Sequence, residues 1–269
     1  MGKVSEEAKN HYADKLKQFK GQIEAIKQKE VSIVAEIRGG SGDLGLLKLR
    51  QVDTVLDLVS YYCVMNTLSV SLLDIRNEGY LNDARKILYK AIILLEGIVS
   101  NLVDAPFSEY EEGLLGVEGS SDPERYNLVR KLGFAIDSIE EAFGDNTKWR
   151  WGFVELEARY ATIVKNLLNF RTLMGKLDPR HEGYRVVSAH LDLCKRQLQQ
   201  AADRYREKYE LSTLRLEDMK LAIEYLSALR RVHVMLGEGD EADVVRKRLE
   251  VWKNKMEQDQ RKAEETAKK

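Results

Sequence analysis

Eight large side chains recur along one stretch: Trp149, Phe153, Leu156, Tyr160, Ile163, Leu167, Phe170 and Met174. The steps between them alternate between four and three without a polar exception. A strand needs alternation by two, so this spacing is compatible only with one face of a helix. The rest of the chain agrees with it. Three prolines in 269 residues, 32% charged residues and 43% hydrophobic residues favour long helices over sheet. The expectation is an all-α protein of antiparallel helical hairpins, stacked as repeats or gathered in a bundle, with long terminal helices.

The first helix is predicted from Lys3 to Ile37. Leu16, Phe19, Ile23, Ile26, Ile33 and Ile37 keep the three-four rhythm, with Glu30 occupying one position of the seam. So narrow a stripe on a highly charged helix fits either a coiled-coil arm or an amphipathic helix lying on the body of the chain. Glycines 39, 40, 42 and 45 then break the pattern. They do not read as a phosphate loop, because a helix precedes them and no Gly-Lys-Ser/Thr follows. A second helix is predicted over residues 46–77 and a third over residues 82–102, joined by a short turn at Gly79 and therefore antiparallel.

Residues 104–124 are expected to form an acidic loop, with seven carboxylates and no basic residue, in which Phe107, Tyr110, Leu114, Leu115 and Val117 are embedded. This segment is expected to separate an N-terminal part, 1–103, from a C-terminal part, 125–269. Its apolar residues either dock in a partner's groove or cap the chain's own core. Ser121-Asp122-Pro123-Glu124 reads as a capped helix start. Further helices are predicted over 123–143, 148–176, 179–210, 214–236 and 241–267.

Gly79, Ala84, Leu88 and Ala91, with Leu68, Ser71, Leu72 and Ile75 before them, resemble a tetratricopeptide repeat over about residues 66–96. The resemblance implies two helices crossing closely through alanines, and a protein-binding surface rather than catalysis. Leu226, Leu229, Gly237 and Ala242 echo the pattern less well, and no sustained period links the two places.

Signatures of chemistry are sparse. No Glu-x-x-His, His-Glu-x-x-His, Gly-x-Ser-x-Gly or dinucleotide fingerprint occurs. His190 and Cys194 share a helix face but lack a second ligand pair, so no metal, cofactor or catalytic residue is expected. The net charge of −1 gives no field that would draw nucleic acid. The segment from Arg246 to Lys269 is basic, nine Lys/Arg to five Asp/Glu, but only Trp252 is available for stacking. A charged start without an apolar core excludes a secretory signal, and the apolar run from Ala91 to Val103 is too short to span a membrane. The chain is therefore expected to be cytoplasmic.

Two functions follow as expectations. The first is a non-catalytic scaffold or adaptor that binds a partner helix or peptide, or self-associates through its terminal helices. Its exposed contact residues would be Asn66, Asn77 and Arg85 beside the repeat-like pair, and Phe107, Tyr110, Leu114 and Leu115 in the acidic segment. The alternative is an enzyme or small-ligand protein, with Arg159, Lys165, Asn169 and Arg171 binding an anion. A deep polar pocket would favour the enzyme, and a shallow apolar groove the adaptor.

Overall fold

The computed structural model describes residues 4–40, 42–144 and 147–267. Among them are ten α-helices, one π-helical turn and no strand, so the fold is all-α. The helices are α1 (Glu6–Gly39), α2 (Leu44–Leu73), α3 (Glu78–Val99), α4 (Phe107–Leu115), α5 (Asp122–Phe143), α6 (Arg150–Asn166), α7 (Phe170–Lys176), α8 (Tyr184–Lys208), α9 (Leu216–Met235) and α10 (Gly239–Ala267). The chain groups into two compact units, residues 1–100 with 113–153, and residues 101–112 with 154–269. The acidic segment is thus divided between them, and α5 belongs with the N-terminal helices.

In the first unit α1, α2 and α3 form successive antiparallel pairs. Gly40, in the left-handed region at φ 65°, closes α1 by donating to the Ile37 carbonyl, and the Asp43 carboxylate accepts from the Leu46 N–H to start α2. Ile23 packs with Leu58 and Met65, and Leu16, Phe19, Ile26, Tyr62, Tyr80 and Ile87 surround them. The α1 seam is therefore spent on α2 and α3, which resolves the first helix as one that lies on the body. Glu30, the polar interruption, is buried against them, 2.5 Å from the Lys90 ammonium and 3.2 Å from the Gln51 amide that donates to it.

The α2–α3 hairpin forms, but its turn is at residues 74–77 rather than at Gly79, because Asp74 in the left-handed region closes α2 and Asn77 caps α3, which takes Gly79 into its first turn. Ala84, Leu88 and Ala91 are wholly buried, and α3 starts under the Asn77 side chain, which accepts from the Tyr80 N–H. Helix α5 starts with the expected capping box at Ser121 and Glu124. It runs beside α2 in the same direction. Lys131 sits 2.6 Å from Asp53 and 2.7 Å from Asp57, and at the other end Arg76, just past α2, donates to the Phe143 carbonyl.

The acidic segment is not a solvated loop. It contains α4, within which Gly113 lies so close to α3 that a Cβ would stand 2.0 Å from the Ile98 carbonyl oxygen.

In the second unit, the helix expected over 148–176 is two. Helix α6 ends at Asn166, and α7 restarts at Phe170, where the Asn169 side chain accepts from the Arg171 and Thr172 N–H groups. The seam is buried from Phe153 to Leu167, but beyond the break Met174 is exposed. Local capping has overridden a continuing apolar rhythm. Likewise α8 starts at Tyr184 rather than Pro179, because Asp178 accepts from the Arg180 N–H in a turn of its own. Helix α8 passes through a π-helical turn, Tyr209–Thr213, into α9, and α10 lies back on α9. Trp252 of α10 is buried, with the Arg206 and Arg248 guanidinium groups 5.2 and 5.1 Å from its ring. The Tyr209 hydroxyl donates to Asp259 at 2.7 Å.

Candidate functional site

The residues expected to meet a partner are placed unevenly. Asn66 is buried, not exposed, and its Oδ1 accepts from the Asn77 N–H at 2.8 Å. Asn77 itself is half-buried as the cap of α3. Arg85 is half-buried too, its guanidinium stacked 3.7 Å over the Trp149 ring. In the acidic segment Tyr110, Leu114 and Val117 are buried, and the half-buried Phe107 packs edge-on against Tyr110 and Phe170. These side chains cap the chain's own core. Only Leu115, 51% exposed, is presented as expected.

The four groups considered for an anion site do not converge. Arg159 faces Glu155 at 3.5 Å, Arg171 pairs with Glu111 at 2.6 Å, and Asn169 is occupied as a helix cap. Lys165 is 4% exposed with its ammonium 4.2 Å from the centre of the Tyr110 ring. Burial depresses its pKa to about 8. Burial also pushes the Cys194 thiol up to about 12, and the buried His190 ring meets the Val164 carbonyl at 3.0 Å. Cys194 and His190 are thus inert core groups. Among the described residues no group of three or more His, Cys, Asp or Glu could hold a metal ion.

A surface that the sequence reading passed over is a groove of about 620 Å³ between α2 and α5. From α2 it is lined by Val59, Ser60, Cys63, Val64, Asn66, Thr67, Val70 and Ser71. From α5 come Phe134, Ala135, Ser138, Glu141 and Ala142. Small residues on both walls let a third element approach the two backbones closely. Phe134 stands on the rim, 68% exposed, and Val64 and Val70 are nearly half exposed.

The polar lining is largely satisfied from within. The Thr67 hydroxyl donates to the Cys63 carbonyl at 3.1 Å and the Ser71 hydroxyl to the Leu68 carbonyl at 3.2 Å. Asn66 is turned to Asn77. Burial raises the Cys63 thiol to about 11, so it is a neutral small hydrophobe at ordinary pH. What remains for an occupant is an apolar floor with the Ser60 and Ser138 hydroxyls and one ionisable carboxylate, Glu141. The same lack of charge, from Ser60 to Leu73, makes α2 long and apolar enough by length and composition to cross a membrane, at a mean hydropathy of 1.3.

Fold and groove together define a helical-hairpin protein with an apolar surface groove between α2 and α5. Comparison with known families then gives the membership: the TP0443 family matches residues 8–260, and the chain belongs to that family. No curated protein and no solved structure matches it.

Proposed function

We propose that this protein is a non-catalytic helical adaptor that binds another protein in the groove between α2 and α5. The observation that carries the reading is the largely apolar lining of that groove, three of whose polar side chains, Asn66, Thr67 and Ser71, are engaged within the fold. A polar metabolite would find few free donors or acceptors there, whereas an apolar surface would be matched by Val64, Val70 and Phe134. An exposed aromatic beside a pocket of small residues is the usual make-up of an interaction hot spot. The helical-hairpin resemblance to tetratricopeptide repeats points the same way. Self-association through the terminal helices is the weaker form of the reading, since the α1 and α10 seams are spent on their own units. The reading is of a cytoplasmic protein, in keeping with two free thiols, Cys63 and Cys194.

The test is affinity purification of the tagged full chain from its native cell, set against a Thr67→Trp variant that fills the groove. A Lys253→Glu change on exposed α10 is the control. A partner recovered with wild type and control but absent from Thr67→Trp is the expected result. A co-purified metabolite without any protein, or a partner that the filled groove retains, would defeat the reading.

A further inference from the structure

The groove also carries an electrical polarity. Because α2 and α5 run in the same direction, their carbonyl ends lie at the same end of it, where helix dipoles are negative. Glu141 lies in the last turn of α5 at that end. It is exposed and has no ion pair among the described residues. Arg76 is nearby but already engaged, donating to the Phe143 carbonyl at 2.9 Å and to Glu78 at 3.2 Å. Beyond the opposite end Lys131 lies between Asp53 and Asp57, which leaves one net negative charge there, but none of the three is among the lining residues. Within its lining the groove is therefore apolar along its length, with Glu141 at one end as its one charged group.

Its length sets the size of the occupant. From Ser60 to Ser71 α2 rises about 17 Å, the length of roughly three helical turns. The walls are helix surfaces studded with Ser60, Cys63, Thr67, Ala135, Ser138 and Ala142, which offer shallow hollows at helical spacing. An extended strand would need a row of backbone partners, and of the groove's hydroxyls those of Thr67 and Ser71 are returned to α2 itself, which leaves Ser60 and Ser138 to serve one. A helix satisfies its own backbone and asks only for apolar contact.

We infer that the occupant is an amphipathic helix of another protein, about three turns long, with Lys or Arg at the end that lies over Glu141. This rests on the adaptor reading and specifies its partner. The long charged tail of α10 does not supply such a helix from a second copy, since residues 257–265 contain Ala263 as their sole apolar side chain.

The experiment uses the full chain and two synthetic 16-residue helical peptides carrying fluorescein. Both have one Leu/Ala face, and they differ only in bearing two Lys or two Glu at one end. Fluorescence anisotropy should give about threefold to tenfold tighter binding of the Lys peptide. Glu141→Lys should reverse that order, and Phe134→Ala should weaken both peptides by about tenfold. Both substitutions fall on exposed side chains, and circular dichroism melts confirm that the variants fold. Equal affinity for the two peptides, or indifference to Phe134→Ala, overturns the inference. So does binding of phosphatidylcholine vesicles in place of either peptide. If neither peptide binds but Thr67→Trp still loses its cellular partner, the helix inference fails and the adaptor reading stands. If Thr67→Trp keeps that partner, the adaptor reading itself has failed.

Discussion

Replacing Lys165 by Met should stabilise the protein at neutral pH, by an amount that shrinks as the solution becomes alkaline. The ammonium is 4% exposed, and burial brings its pKa from 10.5 to about 8. The unfolded chain therefore binds this proton more tightly than the folded one. For a base depressed in the folded state, the penalty is complete below the folded pKa and is relieved as pH rises toward the unfolded value. At pH 7 the penalty is about 3 kcal/mol, and at pH 9.5 about 1.5 kcal/mol. Methionine has a similar length and no charge to desolvate, so the advantage of Lys165→Met over wild type should fall by about 1.5–2 kcal/mol between those pH values. The raised Cys63, Tyr80 and Tyr209 titrate alike in both proteins and cancel in the difference, and Cys194, whose thiol the Lys165 charge lowers, only moves further up when that charge is removed and stays protonated in the folded state at both pH values. Urea unfolding of both proteins at pH 7 and 9.5 measures it directly. A difference that does not change with pH, or a wild type that is the more stable at pH 7, would refute the reasoning.

Three further outcomes are expected. Glu30→Ala should cost about 1–3 kcal/mol by stranding Gln51, while Glu30→Gln, which keeps an acceptor for that amide and gives up only the Lys90 ion pair, should cost less than Glu30→Ala in thermal unfolding. Gly113→Ala should destabilise by more than about 2 kcal/mol in the same assay, since its methyl would meet the Ile98 carbonyl; a silent substitution would show that α4 does not approach α3 so closely. Trp252→Ala should cost about 3 kcal/mol and expose the end of α10 to limited proteolysis, whereas a helix attached only by its start would resist no less than wild type.

Much of the helical layout was legible in the sequence, and the exceptions have identifiable causes. Helix α5 could be bounded because Ser121 and Glu124 supply a cap where the apolar rhythm begins, whereas α3 starts four residues before its predicted start because Asn77, which caps it, reads as one more polar residue at the end of α2. The break after α6 was hidden, because Leu167 and Phe170 keep the rhythm across it and Asn169 looks like any polar surface residue until its amide is seen capping α7. The acidic segment misled in the opposite way: its charge suggested a loop, while Tyr110 and Leu114 are buried on α4. The groove was the least legible feature. Periodicity reports that α2 is apolar on several faces but not which face its neighbours leave open. The available signals were the uncharged run from Ser60 to Leu73 with small residues at Ser60, Cys63, Thr67 and Ser71, and an aromatic at Phe134 on the outer face of α5. Asn66 was singled out for the right neighbourhood and the wrong reason, since it lines the groove with its amide oxygen turned to Asn77.

The side-by-side placement of α2 and α5 has a bearing on how the chain is made. Helix α2 is complete at Leu73, but α5 does not begin until Asp122, so on the ribosome the first three helices emerge with the α5-facing side of α2 bare. At elongation rates of about 5–20 residues per second this interval lasts for seconds. Throughout it the uncharged, largely apolar end of α2, from Ser60 to Leu73, is open to whatever screens nascent chains. Synthesis of α5 ends that interval by covering part of the face, and the part it leaves uncovered is the groove of the finished protein.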